Sequence, residues 1–166
     1  MTTSLLPGDI IELAERVVGT NAEAGRKVAV AESCTGGLVA AALTEIAGSS
    51  KVLDRGFVTY SNESKMEALD VPQDIIETFG AVSIACVWAM AQGALDKSDA
   101  DVAVAISGIA GPGGGTQLKP VGTVVFARCI RNAEGEPEGE LKQFGEGTRA
   151  EIRHQATICA LELLLP

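Results

Sequence analysis

A hydroxyl stands at a strand-to-helix junction in Ala31-Glu32-Ser33-Cys34-Thr35-Gly36-Gly37. Residues 27–31 read as a short buried strand and residues 38–47 as a helix, so Ser33 lies where one ends and the other begins. Backbone N–H groups at a helix start lack intrahelical partners and carry partial positive charge, which suits a phosphate or a developing oxyanion. Ser33 becomes a nucleophile only if a base removes its proton; otherwise it is a helix cap. The Thr35-Gly36-Gly37 continuation favours backbone brought close to a bound group, because glycines early in a helix cost about 1 kcal/mol each relative to alanine. Cys34 is a rival nucleophile whose apolar surroundings offer no means of lowering its pKa.

A base must come from elsewhere in the chain. His154, the single histidine, lies between Arg153 and Gln155 and reads as solvated or structurally satisfied, which gives a Ser-His-Asp triad little support. Lys65 is the better candidate. In Tyr60-Ser61-Asn62-Glu63-Ser64-Lys65 a second strand end passes into a helix start, and the lysine falls in about the first turn. The helix dipole and partial burial both favour the neutral amine there, while nearby Glu63 opposes it. The competing reading is an exposed lysine paired with Glu63 or water. Tyr60 could protonate a leaving group, or pack with its hydroxyl satisfied. Ser33 and Lys65 do not form an SxxK pair on one helix, so only tertiary folding can join them.

Two further elements suit anions. Ser107-Gly108-Ile109-Ala110-Gly111-Pro112-Gly113-Gly114-Gly115-Thr116 leaves an apolar strand and has no long side chain for several residues. Such a loop lets N–H groups approach a ligand, although a surface loop reads similarly, and the pattern is neither a Walker A sequence nor a GxGxxG helix opening. Arg149 and Arg153 are one turn apart on the last helix and suit a phosphate or carboxylate, or else form a solvated face answering Glu146 and Glu151.

The positioning elements follow from periodicity and punctuation. Asp9 is the expected N-cap of a first helix carrying Ile10, Leu13, Ala14 and Val17. A strand spans 52–60, and Ser61 opens the short helix with Lys65. Pro72 and Gly80 frame another short helix, and Ser83 opens a longer one. Residues 101–107 and 121–130 are strands, 131–139 a polar connection, 141–144 an antiparallel return and 149–165 the last helix. Strands alternate with helices and then cluster. This order predicts one α/β domain with a mixed sheet covered on both faces.

At 166 residues, 46% hydrophobic and 21% charged, the chain suits a single globular domain. A net charge of −9 argues against a broad nucleic-acid or anionic-membrane surface, and no apolar run approaches a membrane span. No secretory leader is visible. The four cysteines are scattered without a CxxC pair, which predicts a reduced, cytoplasmic protein without a zinc site.

Five blocks together carry a resemblance. They are the Ala31–Gly37 segment quoted above, Gly56-Phe57-Val58-Thr59-Tyr60-Ser61-Asn62-Glu63-Ser64-Lys65, Gly80-Ala81-Val82-Ser83, Ile106-Ser107-Gly108-Ile109-Ala110-Gly111-Pro112 and Lys119-Pro120-Val121-Gly122-Thr123-Val124. In order and spacing they resemble the nicotinamide-nucleotide amidase family, the C-terminal domain of competence/damage-inducible protein A, from about residue 10 to 164. The resemblance implies a three-layer α/β/α sandwich that hydrolyses nicotinamide mononucleotide to nicotinic acid mononucleotide and ammonia. It further implies a stand-alone form, no metal or organic cofactor, and a homodimer. The family's serine falls on Ser33, its lysine on Lys65 and its tyrosine on Tyr60. Asn62, Ser107 and either Arg149 or Arg153 fall in the substrate pocket. Thr35, Gly36 and Gly37 are the expected oxyanion donors and Gly108 and Gly111 the expected phosphate contacts, an assignment that could also be reversed. The alternatives are a non-catalytic module that senses pyridine nucleotides, a serine amidase of another small amide, and a partner domain for DNA-uptake or repair proteins.

Overall fold

The computed structural model describes residues 3–166. In chain order the elements are α1 (Gly8–Glu23), β1 (Val28–Glu32), α2 (Leu38–Thr44), β2 (Leu53–Val58), α3 (Asn62–Leu69), α4 (Gln73–Phe79), α5 (Ile84–Asp96), β3 (Val102–Gly108), β4 (Thr123–Ile130), β5 (Glu138–Gln143) and α6 (Arg149–Leu163), with one 3-10 turn at Ser49–Lys51. The strands form one sheet in the order β2-β1-β3-β4-β5. β1 pairs in parallel with both β2 and β3, whereas β4 runs antiparallel to β3 and to β5.

Strand alternation divides the core in two. Val28, Val30, Val102, Val104, Ile106 and Phe126 face α1, α2 and α6. Ala29, Ala31, Ala103, Ala105 and Ala127 face α5, with α3 and α4 beside it. The result is the three-layer α/β/α sandwich. The alanine face lets α5 lie close to the sheet. Gly93 of α5 in turn lets the end of α3 lie close to α5, because a Cβ there would collide with the Leu69 carbonyl. Helix α3, which carries Lys65, is thereby seated against the layer beneath it.

Local chemistry explains most helix boundaries. Ser61 Oγ accepts from Ser64 N–H at 3.1 Å and caps α3. Ser83 Oγ does the same for α5 through Cys86 N–H, and Thr148 closes a capping box with Glu151 at α6. Three expectations change. Helix α1 starts at Gly8 with Pro7 as its cap, which frees the Asp9 carboxylate for Ile10 N–H and for His154. Helix α2 has only seven residues. Thr35, Gly36 and Gly37 precede it as a turn, with Gly36 at φ 59° and Gly37 at φ 103°. Strand β5 begins at Glu138, inside the stretch expected to be a connection. It is an edge strand, so backbone pairing with β4 suffices and its polar residues carry no alternating signal.

Candidate active site

The carboxyl ends of β1, β2 and β3 emerge side by side because these strands are parallel. The chain goes from β1 to β2 on one side and then crosses to β3 on the other, so a crevice opens above β1. Open α/β sheets bind ligands at such a switch point. Backbone bonds fix the three ends together: Ser33 N–H donates to Ile106 O at 2.9 Å, and Thr59 N–H donates to Glu32 O at 2.8 Å.

Lys65 crosses this junction from α3. It is 1% exposed, and its Nζ lies 3.1 Å from Ser33 Oγ, 2.7 Å from Thr59 O and 3.4 Å from Tyr60 O. Among the described residues no carboxylate forms an ion pair with it, Glu63 included. Burial therefore pushes the amine's pKa below the ordinary lysine value, against a smaller opposing influence of Cys86 and Cys34. A neutral amine has two N–H donors and one lone pair. As an ammonium, Nζ donates to all three oxygens; as a neutral amine, it gives its two N–H donors to the two carbonyls and its lone pair to the Ser33 hydroxyl.

The rival groups are placed differently. Burial pushes the Cys34 thiol up to about 11, so it stays protonated at neutral pH. His154 Nε2 lies 2.7 Å from Asp9 Oδ2, where α6 meets α1, and does not line the crevice.

Ser33, Lys65, Tyr60, Asn62, Ser107, Gly108, Gly111 and Arg149 line one cavity of about 260 Å³. Thr35, Gly36, Gly37 and Arg153 do not. Thr35 is fully buried, Gly36 N–H donates to Ser33 O at 2.9 Å, and Gly37 N–H donates to Glu32 Oε1 at 3.2 Å. The expected oxyanion donors at Gly36 and Gly37 are thus already committed. The N–H groups of Cys34 and Thr35, by contrast, have no acceptor among the described residues.

Glu32 is the residue that sequence reasoning missed. Its carboxylate is fully buried, without a cationic partner among the described residues. It accepts from Thr35 Oγ1 at 2.6 Å and from the N–H groups of Gly37, Val39 and Ala40. It caps α2 from beneath, supplying the acceptor that Gly37 at the N-cap lacks. The available signal was a carboxylate ending an otherwise apolar strand beside a double glycine.

The two arginines separate in space. Arg149 lines the cavity and donates to Gly111 O and to Tyr60 Oη, both at 2.8 Å, so it ties the glycine loop to the tyrosine. Arg153 lies behind the Ser33 turn. Its Nε donates to Cys34 O at 3.0 Å and its Nη2 to Thr35 O at 3.3 Å. Gly111 has φ 83°, and a Cβ there would sit 2.5 Å from Val121 Cγ1; only glycine fits. The N–H groups of Gly111, Gly113 and Gly114 point to no acceptor among the described residues. Nor does any group of three His, Cys, Asp or Glu side chains there have the arrangement of a metal site.

Comparison with known proteins places this geometry in a lineage. The model described as CinA C-terminal domain matches residues 10–166. A CinA-like protein of Mycobacterium sp. (strain JLS) is 51% identical over 85% of this chain, but the match spans 33% of that relative, so the chain spans about a third of its length. The Escherichia coli (strain K12) protein named nicotinamide-nucleotide amidohydrolase PncC is 47% identical over 94% of this chain and 93% of its own. The crystal structure of the competence/damage inducible protein CihA from Agrobacterium tumefaciens matches with a TM-score of 0.93 at 52% identity, over 98% of this chain and 97% of that one. With the family model and near full-length relatives in agreement, the chain belongs to the CinA C-terminal domain family.

Proposed function

We propose that this protein hydrolyses the carboxamide of nicotinamide mononucleotide, giving nicotinic acid mononucleotide and ammonia, with Ser33 as nucleophile and Lys65 as base. The observation that carries this reading is the 3.1 Å contact between Ser33 Oγ and a buried lysine that has no carboxylate partner among the described residues. The name of the near full-length Escherichia coli relative supports the substrate.

Lys65 takes the Ser33 proton as Oγ attacks the carboxamide carbon, and the carbonyl electrons move onto oxygen. Cys34 N–H, on the residue after the nucleophile, lines the cavity without an acceptor among the described residues and receives that oxyanion. The intermediate collapses when the Lys65 ammonium protonates the departing amine, leaving an ester on Ser33. The neutral lysine then takes a proton from water, and hydroxide attacks the ester. A second collapse returns that proton to Ser33 Oγ. Tyr60, 62% exposed at the rim, is oriented by Arg149 and bounds the leaving side. Asn62 and Ser107 line the walls around the ring and ribose, while Arg149 and the open N–H groups of Gly111, Gly113 and Gly114 receive the phosphate. The protein acts in the cytoplasm as a homodimer in pyridine-nucleotide recycling.

Ammonia release from nicotinamide mononucleotide by the purified protein tests the reading; binding without turnover would identify a sensing module instead. Arg149→Met is expected to raise KM for nicotinamide mononucleotide at least tenfold, with a much smaller effect on the unphosphorylated riboside. Equal effects on both compounds would remove the phosphate role from Arg149.

A further inference from the structure

The turn that carries Ser33 is held from two sides by residues outside the cavity. Glu32 grips it from beneath through Thr35 Oγ1 and Gly37 N–H. Arg153 grips it from α6 through the carbonyls of Cys34 and Thr35. Between these grips, Gly36 and Gly37 both have positive φ, so side-chain sterics contribute little to holding the turn.

The consequence follows from peptide planarity. In a trans peptide the C=O and N–H point in opposite directions. When Arg153 Nε holds Cys34 O, the Thr35 N–H of the same peptide is aimed away from the guanidinium. When Arg153 Nη2 holds Thr35 O, the Gly36 N–H of that peptide is fixed as well. Gly36 N–H in turn donates to Ser33 O, which sets the Cys34 N–H of the Ser33–Cys34 peptide. One side chain therefore orients, directly and at one remove, the two N–H groups of this turn that have no acceptor.

We infer that Arg153 is a positioning residue that presets the oxyanion donor Cys34 N–H, on the turn residue that lines the cavity, and that it does not bind substrate. The inference rests on the amidase reading above and adds a role that the cavity lining alone does not reveal. Removing Arg153 leaves the substrate's contacts in place but frees two peptides to rotate, so the loss falls on the transition state. Loss of a single oxyanion donor typically costs about 10²–10³ in rate.

The test compares wild type, Arg153→Met and Arg153→Lys in ammonia release from nicotinamide mononucleotide across pH, with thermal melts of each. Arg153→Met should lose about 10²-fold in kcat, with KM within about twofold and the acid limb of the pH profile unmoved, because Lys65 keeps its surroundings. Arg153→Lys, able to reach one carbonyl but not both, should recover part of kcat. A tenfold rise in KM with kcat retained would make Arg153 a substrate ligand and overturn the inference. So would a kcat within threefold of wild type, or an activity loss matched by the loss of folded protein. Wild-type protein that released no ammonia would instead remove the amidase reading on which the inference stands.

Discussion

Ser33→Ala is expected to lower kcat for ammonia release from nicotinamide mononucleotide by about 10⁴-fold or more, because removing a covalent nucleophile disables both half-reactions at once. The fold should survive the change. Ser33 contributes one side-chain hydrogen bond, to Lys65 Nζ, and the lysine keeps Thr59 O and Tyr60 O as partners. The backbone bonds that fix the turn, from Ser33 N–H to Ile106 O and from Gly36 N–H to Ser33 O, do not involve the side chain. The variant should therefore melt within a few degrees of wild type and still bind the nucleotide. Turnover within tenfold of wild type would mean that water is activated directly and no serine ester forms.

Lys65→Met should lose about 10³-fold in kcat, within the range typical of a positioned base, and should also lose the acid limb of the pH profile. The direction follows from burial. Desolvation holds the folded amine's pKa below the ordinary lysine value, so the lone pair is available at lower pH than on an exposed lysine. In wild type, kcat/KM rises with pH as the ammonium loses its proton; methionine has no such proton to lose. Stability carries the same signature. Between the lowered folded pKa and the higher unfolded one, the unfolded chain binds the extra proton, so wild-type stability falls as pH drops through that window. Below the folded pKa the penalty is fully present. Thermal melts should therefore show Lys65→Met gaining on wild type as pH falls through the window. An acid limb retained with the same midpoint in the variant would assign that titration to another group.

Sequence and structure agree best where the determinant is local. Ser61, Ser83 and the Pro72–Gly80 pair mark helix boundaries through their own side chains or backbone preferences: Ser61, Pro72 and Ser83 stand at helix N-caps and Gly80 at a C-cap in the structure. The apolar runs at 27–31 and 101–107 read as buried strands, and strands stand one residue further on, at Val28–Glu32 and Val102–Gly108, with both faces of the sheet covered. Strand β5 was less legible, since an edge strand is specified by pairing rather than by its polar side chains. Helix α2 starts at Leu38 as read but ends at Thr44 and not at residue 47, because the chain turns there through Gly48, at φ 88°, into the 3-10 turn.

The site was legible as a set of parts but not as an assembly. Nothing near Ser33 in the sequence names Lys65. They meet because β1 and β2 are parallel neighbours whose ends release both segments into the same crevice. Arg149 and Arg153 look equivalent when counted along a helix. In space a single turn of rotation and rise sends one guanidinium to Gly111 and Tyr60 and the other to Cys34 and Thr35. Glu32 was invisible as a functional element because its partners are backbone N–H groups.

Capture of the serine ester tests the central claim most directly. Wild-type protein turning over nicotinamide mononucleotide would be quenched at early times for mass spectrometry of the Ser33 peptide, with a parallel reaction run in hydroxylamine. The expected result is a nicotinate-mononucleotide acyl group on Ser33, absent from Ser33→Ala, together with diversion of product to the hydroxamate. Turnover that yields neither the adduct nor the hydroxamate would contradict attack by Ser33 activated by an uncharged Lys65.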